Sequence, residues 1–271
     1  MTNPSHIVSL TFDDALEVHL DRVVPLLDQH GFKGTFFVTV GADSFCRRLD
    51  AWRSAAATGH ELGNHTLLHP AVRGKDYVTE GNAIERYTLD RMRTELEMAN
   101  RILTGVDGCH ERTFAYPCCN PVLGTPGWAK RVVRWLGLDR TRLMGFVARH
   151  PGLDLGTTER SYEPVVKDLF LAARIGGERF SAGPDYPPRQ SAVPCVALDG
   201  KNLDELKDLV EDFCRQEWGW LVLMAHGVGG GHRLSCDADV FEGFLRLLKT
   251  RTLTVLPFGG AARQVYGVGN A

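Results

Sequence analysis

Apolar positions along the chain switch repeatedly between a strand-like and a helical period. Residues 7–12 form an apolar run closed by Asp13 and Asp14. Leu16, Leu20, Val23, Val24 and Leu27 then follow a helical period, which Pro25 bends or restarts and Gly31 stops. Residues 34–40 read as a buried strand, 47–58 as a helix and 61–65 as a short strand. Leu89, Met92, Leu96, Ala99 and Leu103 mark the best helix, with Thr88 as its cap and Gly105 at its end. A short strand at 113–116 and a helix at 127–136 follow. Asn202 and Glu205 make a capping-box pattern ahead of Leu206, Leu209, Val210 and Phe213. Residues 220–224 are a fully apolar strand, 241–249 a helix, and 253–256 a last strand before Pro257.

Strand and helix thus alternate about seven times, which predicts an α/β fold with a parallel sheet flanked by helices. No glycine-rich phosphate turn follows the first strand, so a (β/α) barrel of about seven strands is favoured over an open doubly wound sheet. Residues 69–85 and 151–194 break the pattern and read as long loops over one rim of a single domain, 1–271. The five tryptophans (52, 128, 135, 218 and 220) are expected mostly in the core.

Composition removes several classes of function. With 44% hydrophobic and 24% charged residues the chain is too apolar for disorder. A formal net charge of −2 argues against nucleic acid or an anionic membrane as the main partner. No secretory segment or membrane-length run is visible, and the seven scattered cysteines lack a Cys-x-x-Cys pair, so reduced thiols in a cytoplasmic protein are expected. The sequence leaves the oligomeric state open.

Four segments put polar groups at the C-terminal ends of apolar runs, where barrel enzymes keep their sites: 11–14, 63–69, 114–118 and 223–227. His65 and His69 are four apart, so in a helical turn both imidazoles share one face and a metal; the alternative is a surface turn with two unrelated histidines. Asp13 and Asp14 taken alone are a helix cap. Taken with the histidines, they offer a two-His-one-carboxylate set with open positions, plus a second carboxylate to accept a proton from metal-acidified water. His226, at the end of an apolar strand, is the candidate acid, against a buried structural histidine. The glycine run 227–231 has no following Lys-Ser or Lys-Thr and reads as a rim loop that includes His232. Cys118 and Cys119 lack a base partner and read as two partly buried thiols, and His60 as a surface residue.

These motifs resemble the polysaccharide deacetylase family, carbohydrate esterase family 4. Thr11-Phe12-Asp13-Asp14 matches its first motif, His65-Thr66-Leu67-Leu68-His69 its second, and Leu223-Met224-Ala225-His226 is similar to its last. The resemblance implies a distorted (β/α) barrel and Asp13 as base. It further implies Asp14, His65 and His69 as metal ligands, and His226 as general acid. It implies one divalent cation, zinc foremost, with cobalt, nickel or manganese as alternatives. The substrate implied is an acetylated amino sugar or short oligosaccharide that loses its N-acetyl group. An O-acetyl ester, a cyclic imide or a ureide is the alternative substrate, and a silent carbohydrate-binding protein the alternative of another class.

The sequence also departs from the family. Ala15 stands where the family has glycine, and Ala115 where its third motif has an arginine. Arg112 or Arg174 is expected to substitute for that arginine, and Asp185 or Asp199 for the family's acid-supporting aspartate. Tyr116, Pro117, Cys118 and Arg174 make up the implied substrate-binding set, with the backbone N–H of Cys118 facing the oxyanion.

Overall fold

A computed structural model describes residues 6–138, 141–183 and 189–267. Its main sheet has eight strands: β1 (His6–Asp13), β2 (Thr35–Val38), β3 (Glu61–Asn64), β4 (Thr113–Ala115), β5 (Ala172–Arg174), β6 (Val196–Ala197), β7 (Gly219–Ala225) and β8 (Thr254–Val255). All are parallel, in the order β5-β4-β3-β2-β1-β7-β6, with β8 beside the first half of β1. The sheet curls until one isolated bridge, Arg174 to Val193, joins β5 to the segment that runs into β6. The expected barrel is therefore a curled, open half-barrel, its seam touched by a single bridge instead of a full ladder.

Period two along β1 decides what faces inward. Val8, Leu10 and Phe12 pack with Phe36, Val38, Leu221 and Leu223 under the outer helices. Ile7 packs on the other face, in the barrel interior, with Phe37, Ala115, Trp220, Val222 and Phe258. On that face Ser9 accepts from the Trp220 indole at 3.0 Å, and Asp13 follows it at the strand's end. The strand's alternation thus aims one carboxylate into the mouth of the half-barrel.

The helices follow the expected pattern with informative exceptions. A π-helical turn at His19–Val23 precedes α1 (Val24–His30), whose first turn holds Pro25, so the proline restarts the helix. Next come α2 (Leu49–Ala57) and α3 (Leu89–Asp107), the latter capped by Thr88 as expected. It runs through Gly105 and stops at Gly108, whose φ of 72° suits the left-handed cap that only glycine adopts readily. Besides a short helical turn at Asp43–Arg47, there follow α4 (Trp128–Trp135), α5 (Arg142–Arg149), α6 (Glu163–Leu169), α7 (Leu203–Cys214), α8 (Ala238–Lys249) and α9 (Phe258–Tyr266). The capping box at α7 is formed as expected.

Residues 151–194 are not one long loop. They contain α6 and the sheet strand β5, a three-residue strand too short to show a period. Trp52 and Trp220 are fully buried, but Trp128 and Trp135 are 61% and 84% exposed. All seven cysteines are free, and no helix among the described residues is long and apolar enough to cross a membrane.

Candidate metal centre

The site forms where β1, β3 and β7 end. Beyond β1 the chain turns sharply, with Asp14 and Ala15 at φ 76° and 53°. Ala15 stands in the left-handed region, which explains why a glycine suits that position. Beyond β3, Asn64 Oδ1 accepts from Thr66 N at 2.7 Å and Thr66 Oγ1 from His69 N at 2.9 Å. These bonds wrap residues 65–69 into a tight non-helical turn, so the two imidazoles converge through side-chain capping instead of the expected helical turn. Six of the seven described non-glycine residues with positive φ (Asp14, Ala15, Thr66, His69, Cys118 and Cys119) lie at this end of the sheet. Backbone strain is concentrated where side chains must converge.

Asp14 Oδ1 lies 3.5 Å from His65 Nε2 and 3.4 Å from His69 Nε2. The ligand atoms of the three residues all fall within 4.8 Å of one another. His65 Nδ1–H donates to the Ala115 carbonyl at 2.8 Å, which fixes the tautomer and leaves Nε2 with its lone pair toward Asp14. Burial lowers both imidazoles to about 4, so they are neutral near pH 7. A carboxylate and two neutral imidazoles with converging lone pairs fit a divalent cation with positions left open toward the cleft.

Asp13 is buried beside this set. Burial opposes its ionisation, but the Arg174 guanidinium, then His65 and His226, outweigh it and hold the carboxyl at about 2. Arg174 grips Oδ2, while Oδ1 is buried without a hydrogen-bond partner. Arg174 is the cross-strand neighbour of Ala115, so both side chains face inward and the small alanine leaves room for an arginine supplied one strand over. Placed in the substrate-binding set by the sequence, Arg174 is 2% exposed and faces Asp13 instead. Arg112, the other candidate, is bound to Asp107 and the Leu62 carbonyl.

His226 follows β7. Its Nδ1–H donates to Asp199 Oδ2 at 2.6 Å and its backbone N–H to Asp199 Oδ1 at 3.1 Å. Burial works to deprotonate the ring, but the Asp199 hydrogen bond and the Asp13 charge prevail and raise its pKa. Of the two candidate aspartates, Asp199 is the one that contacts His226; Asp185 lies outside the described residues. His19 was not singled out in the sequence, where it is one histidine in a helical run. Its Nδ1 accepts from Leu16 N at 3.2 Å, so its Nε2–H donates to the His226 carbonyl at 2.7 Å. Burial lowers it to about 4, which keeps that neutral tautomer. His60 is buried too, not on the surface: its Nδ1 accepts from Gly34 N at 3.1 Å.

A cleft of about 530 Å³ opens over these groups, with Tyr116 and Cys118 in its wall. Tyr116 is buried and donates to the Ser191 carbonyl at 3.0 Å, and Pro117 is buried. Cys118 and Cys119 are exposed, contrary to the expected partly buried pair. The Cys118 thiol lies 3.3 Å from Lys75 Nζ and 3.1 Å from the Tyr77 hydroxyl.

Comparison with known proteins agrees with this arrangement. Residues 1–121 match the family model described as polysaccharide deacetylase. A gellan lyase from Bacillus sp. is 32% identical over 109 residues, 40% of this chain; that stretch is 4% of the gellan lyase's own length. A protein from Mycobacterium smegmatis described as a polysaccharide deacetylase superposes with a TM-score of 0.59 at 16% identity, over 98% of this chain and 91% of that one. A family 4 acetyl xylan esterase from Clostridium thermocellum, solved with a cobalt ion, gives 0.52 at 15% identity, over 97% and 93%. At such identities the structural likeness establishes the fold alone. The family model thus matches a little under half of the chain, residues 1–121, and the fold of the solved structures extends over nearly its whole length.

Proposed function

We propose that the protein is a metal-dependent hydrolase that removes N-acetyl groups from an amino sugar or short oligosaccharide. The observation that carries this reading is the convergence of Asp14, His65 and His69 beside a buried, ionised Asp13 with one oxygen unpartnered. A divalent cation, zinc foremost, would be held by those three residues and would supply Lewis acidity toward the acyl carbonyl and a lowered pKa for water. Asp13 Oδ1 is the acceptor for the proton of attacking water, the role its missing hydrogen bond leaves open. Arg174 keeps that carboxylate charged and fixes which oxygen is free. The backbone N–H of Cys118 is the donor for the oxyanion. His226, whose protonated form Asp199 favours, delivers a proton to the departing nitrogen.

The test is turnover of acetylated chitooligosaccharides by chelator-stripped protein before and after zinc is restored, beside acetylated xylan and a cyclic imide. Zinc-dependent release of acetate from the chitooligosaccharide supports the reading. Zinc-dependent turnover confined to the xylan or the imide moves the substrate to that class, and saccharide binding without hydrolysis in zinc-loaded protein overturns it.

A further inference from the structure

Two cations, Lys75 and Arg233, line the cleft over the metal centre, and both lie near Tyr77. Lys75 lies in the loop after His69, where Tyr77 stands edge-on to the His69 ring at 5.5 Å. Arg233 lies in the loop after His226, next to His232, whose ring stacks on His226 at 4.9 Å. That loop is built to hold its shape. Arg22 donates to the Val228 and Gly229 carbonyls at 3.1 and 3.0 Å, and Gly227 N bonds the Leu234 carbonyl at 3.0 Å.

Neither cation has a carboxylate partner among the described residues. Lys75 Nζ reaches only the Cys118 thiol and, at 5.8 Å, the Tyr77 ring, and Arg233 makes no hydrogen bond or ion pair. The acids near Lys75 are engaged elsewhere or turned away: Glu80 pairs with Arg73 and Arg86, Glu85 accepts from Arg73 N, and exposed Asp76 is not part of the cleft wall. Asp13 is held by Arg174, and Asp14 faces the histidines. A neutral saccharide lying in this cleft would strip water from an ammonium and a guanidinium and return only uncharged acceptors to them. A carboxylate would satisfy both, the guanidinium through its two-pronged donor face.

We propose that the cleft takes an acidic saccharide, in which a carboxylate beside the acylated unit is gripped by Lys75 and Arg233. The proposal rests on the hydrolase reading for what is cleaved, not for what is bound. The two residues select the substrate and draw it in by long-range attraction.

The test is calorimetric titration of the zinc-loaded full chain with trigalacturonate and with neutral xylotriose. At low salt the acidic trisaccharide should bind at least about tenfold more tightly, and added salt should shrink the advantage. In a Lys75→Gln/Arg233→Gln variant the ratio of the two affinities should fall to within about threefold of unity. Equal binding of both sugars by the unaltered chain would overturn the proposal. So would an advantage that survives in the double variant, since the carboxylate would then be bound elsewhere, on the zinc. Zinc-dependent hydrolysis of 4-methylumbelliferyl acetate, a small neutral ester, reads the hydrolase assignment separately. Turnover of that ester without an acidic preference removes this inference alone, and an acidic preference without turnover removes the hydrolase assignment alone.

Discussion

The two halves of the site are built on different principles. Asp14, His65 and His69 all come from the stretch matched by the family model and are brought together by two tight turns at the ends of β1 and β3, about fifty residues apart in sequence. The groups that favour the charged forms of Asp13 and His226, Arg174 and Asp199, come from beyond it, as does His226 itself. Side chains that could meet one ion must be placed closely, so each sits on a tight turn at a strand end. A supporting charge needs only to face the right way, so any inward position on a neighbouring strand will serve. Asp13 stands between the halves: it lies beside the ligands in sequence but depends on Arg174 for its charge.

The largest effect is expected in the first half. His65→Ala should lose both the stoichiometric ion, read by metal analysis, and all measurable turnover. Retention of the ion would separate His65 from the ligand set.

In the second half, Arg174→Met leaves Asp13 as a buried, unpaired charge. It should destabilise the fold by about 3–5 kcal/mol in denaturant unfolding, and it should raise the Asp13 pKa from about 2. Stability conferred by that depressed carboxylate is present above its unfolded pKa and lost as pH falls toward about 2. In Arg174→Met that acid-side loss should flatten. Moving the arginine one strand over, in Ala115→Arg/Arg174→Ala, should recover turnover at least about tenfold over Arg174→Ala, because the two positions are cross-strand neighbours facing one space. No recovery would mean that Arg174 does more than hold Asp13.

Asp199→Asn keeps an acceptor for the His226 backbone N–H but removes the charge that stabilises the imidazolium. A general acid acts in its protonated form, so activity falls as pH rises through its pKa. The alkaline limb of kcat/KM should therefore move to lower pH, with turnover down about 10–100-fold, as for loss of a group that orients a reacting residue. An unmoved limb would take His226 out of the acid role.

The smallest effect concerns the turn itself. Ala15 holds φ 53°, so Ala15→Gly should relieve left-handed strain and raise stability by about 1 kcal/mol. A loss of stability would show that the buried methyl matters more than the strain.

What the sequence made legible follows the same division. Contiguous motifs announced Asp13, Asp14, His65 and His69, and strong periods announced β1, α3 and α7. Arg174 was only one of two candidate substitutes for the missing arginine. It sits in a three-residue strand inside a stretch rich in glycine, proline and charge, which reads as a loop. Asp199 had no spacing to distinguish it from Asp185, because its partner His226 is 27 residues away. His19 gave no signal at all: its role is to hold a backbone carbonyl, and that leaves no mark on residue type. Cross-strand neighbours in a parallel sheet are far apart along the chain, and their pairing is decided only when the sheet forms.

The measurement that tests the central claim most directly is metal content and turnover of Asp13→Asn, taken on one preparation. The structure predicts one bound divalent ion per chain, as in the unaltered protein, with turnover lowered by at least about 10²-fold. Loss of the ion would make Asp13 a ligand, and near-normal turnover with the ion in place would remove it as the base.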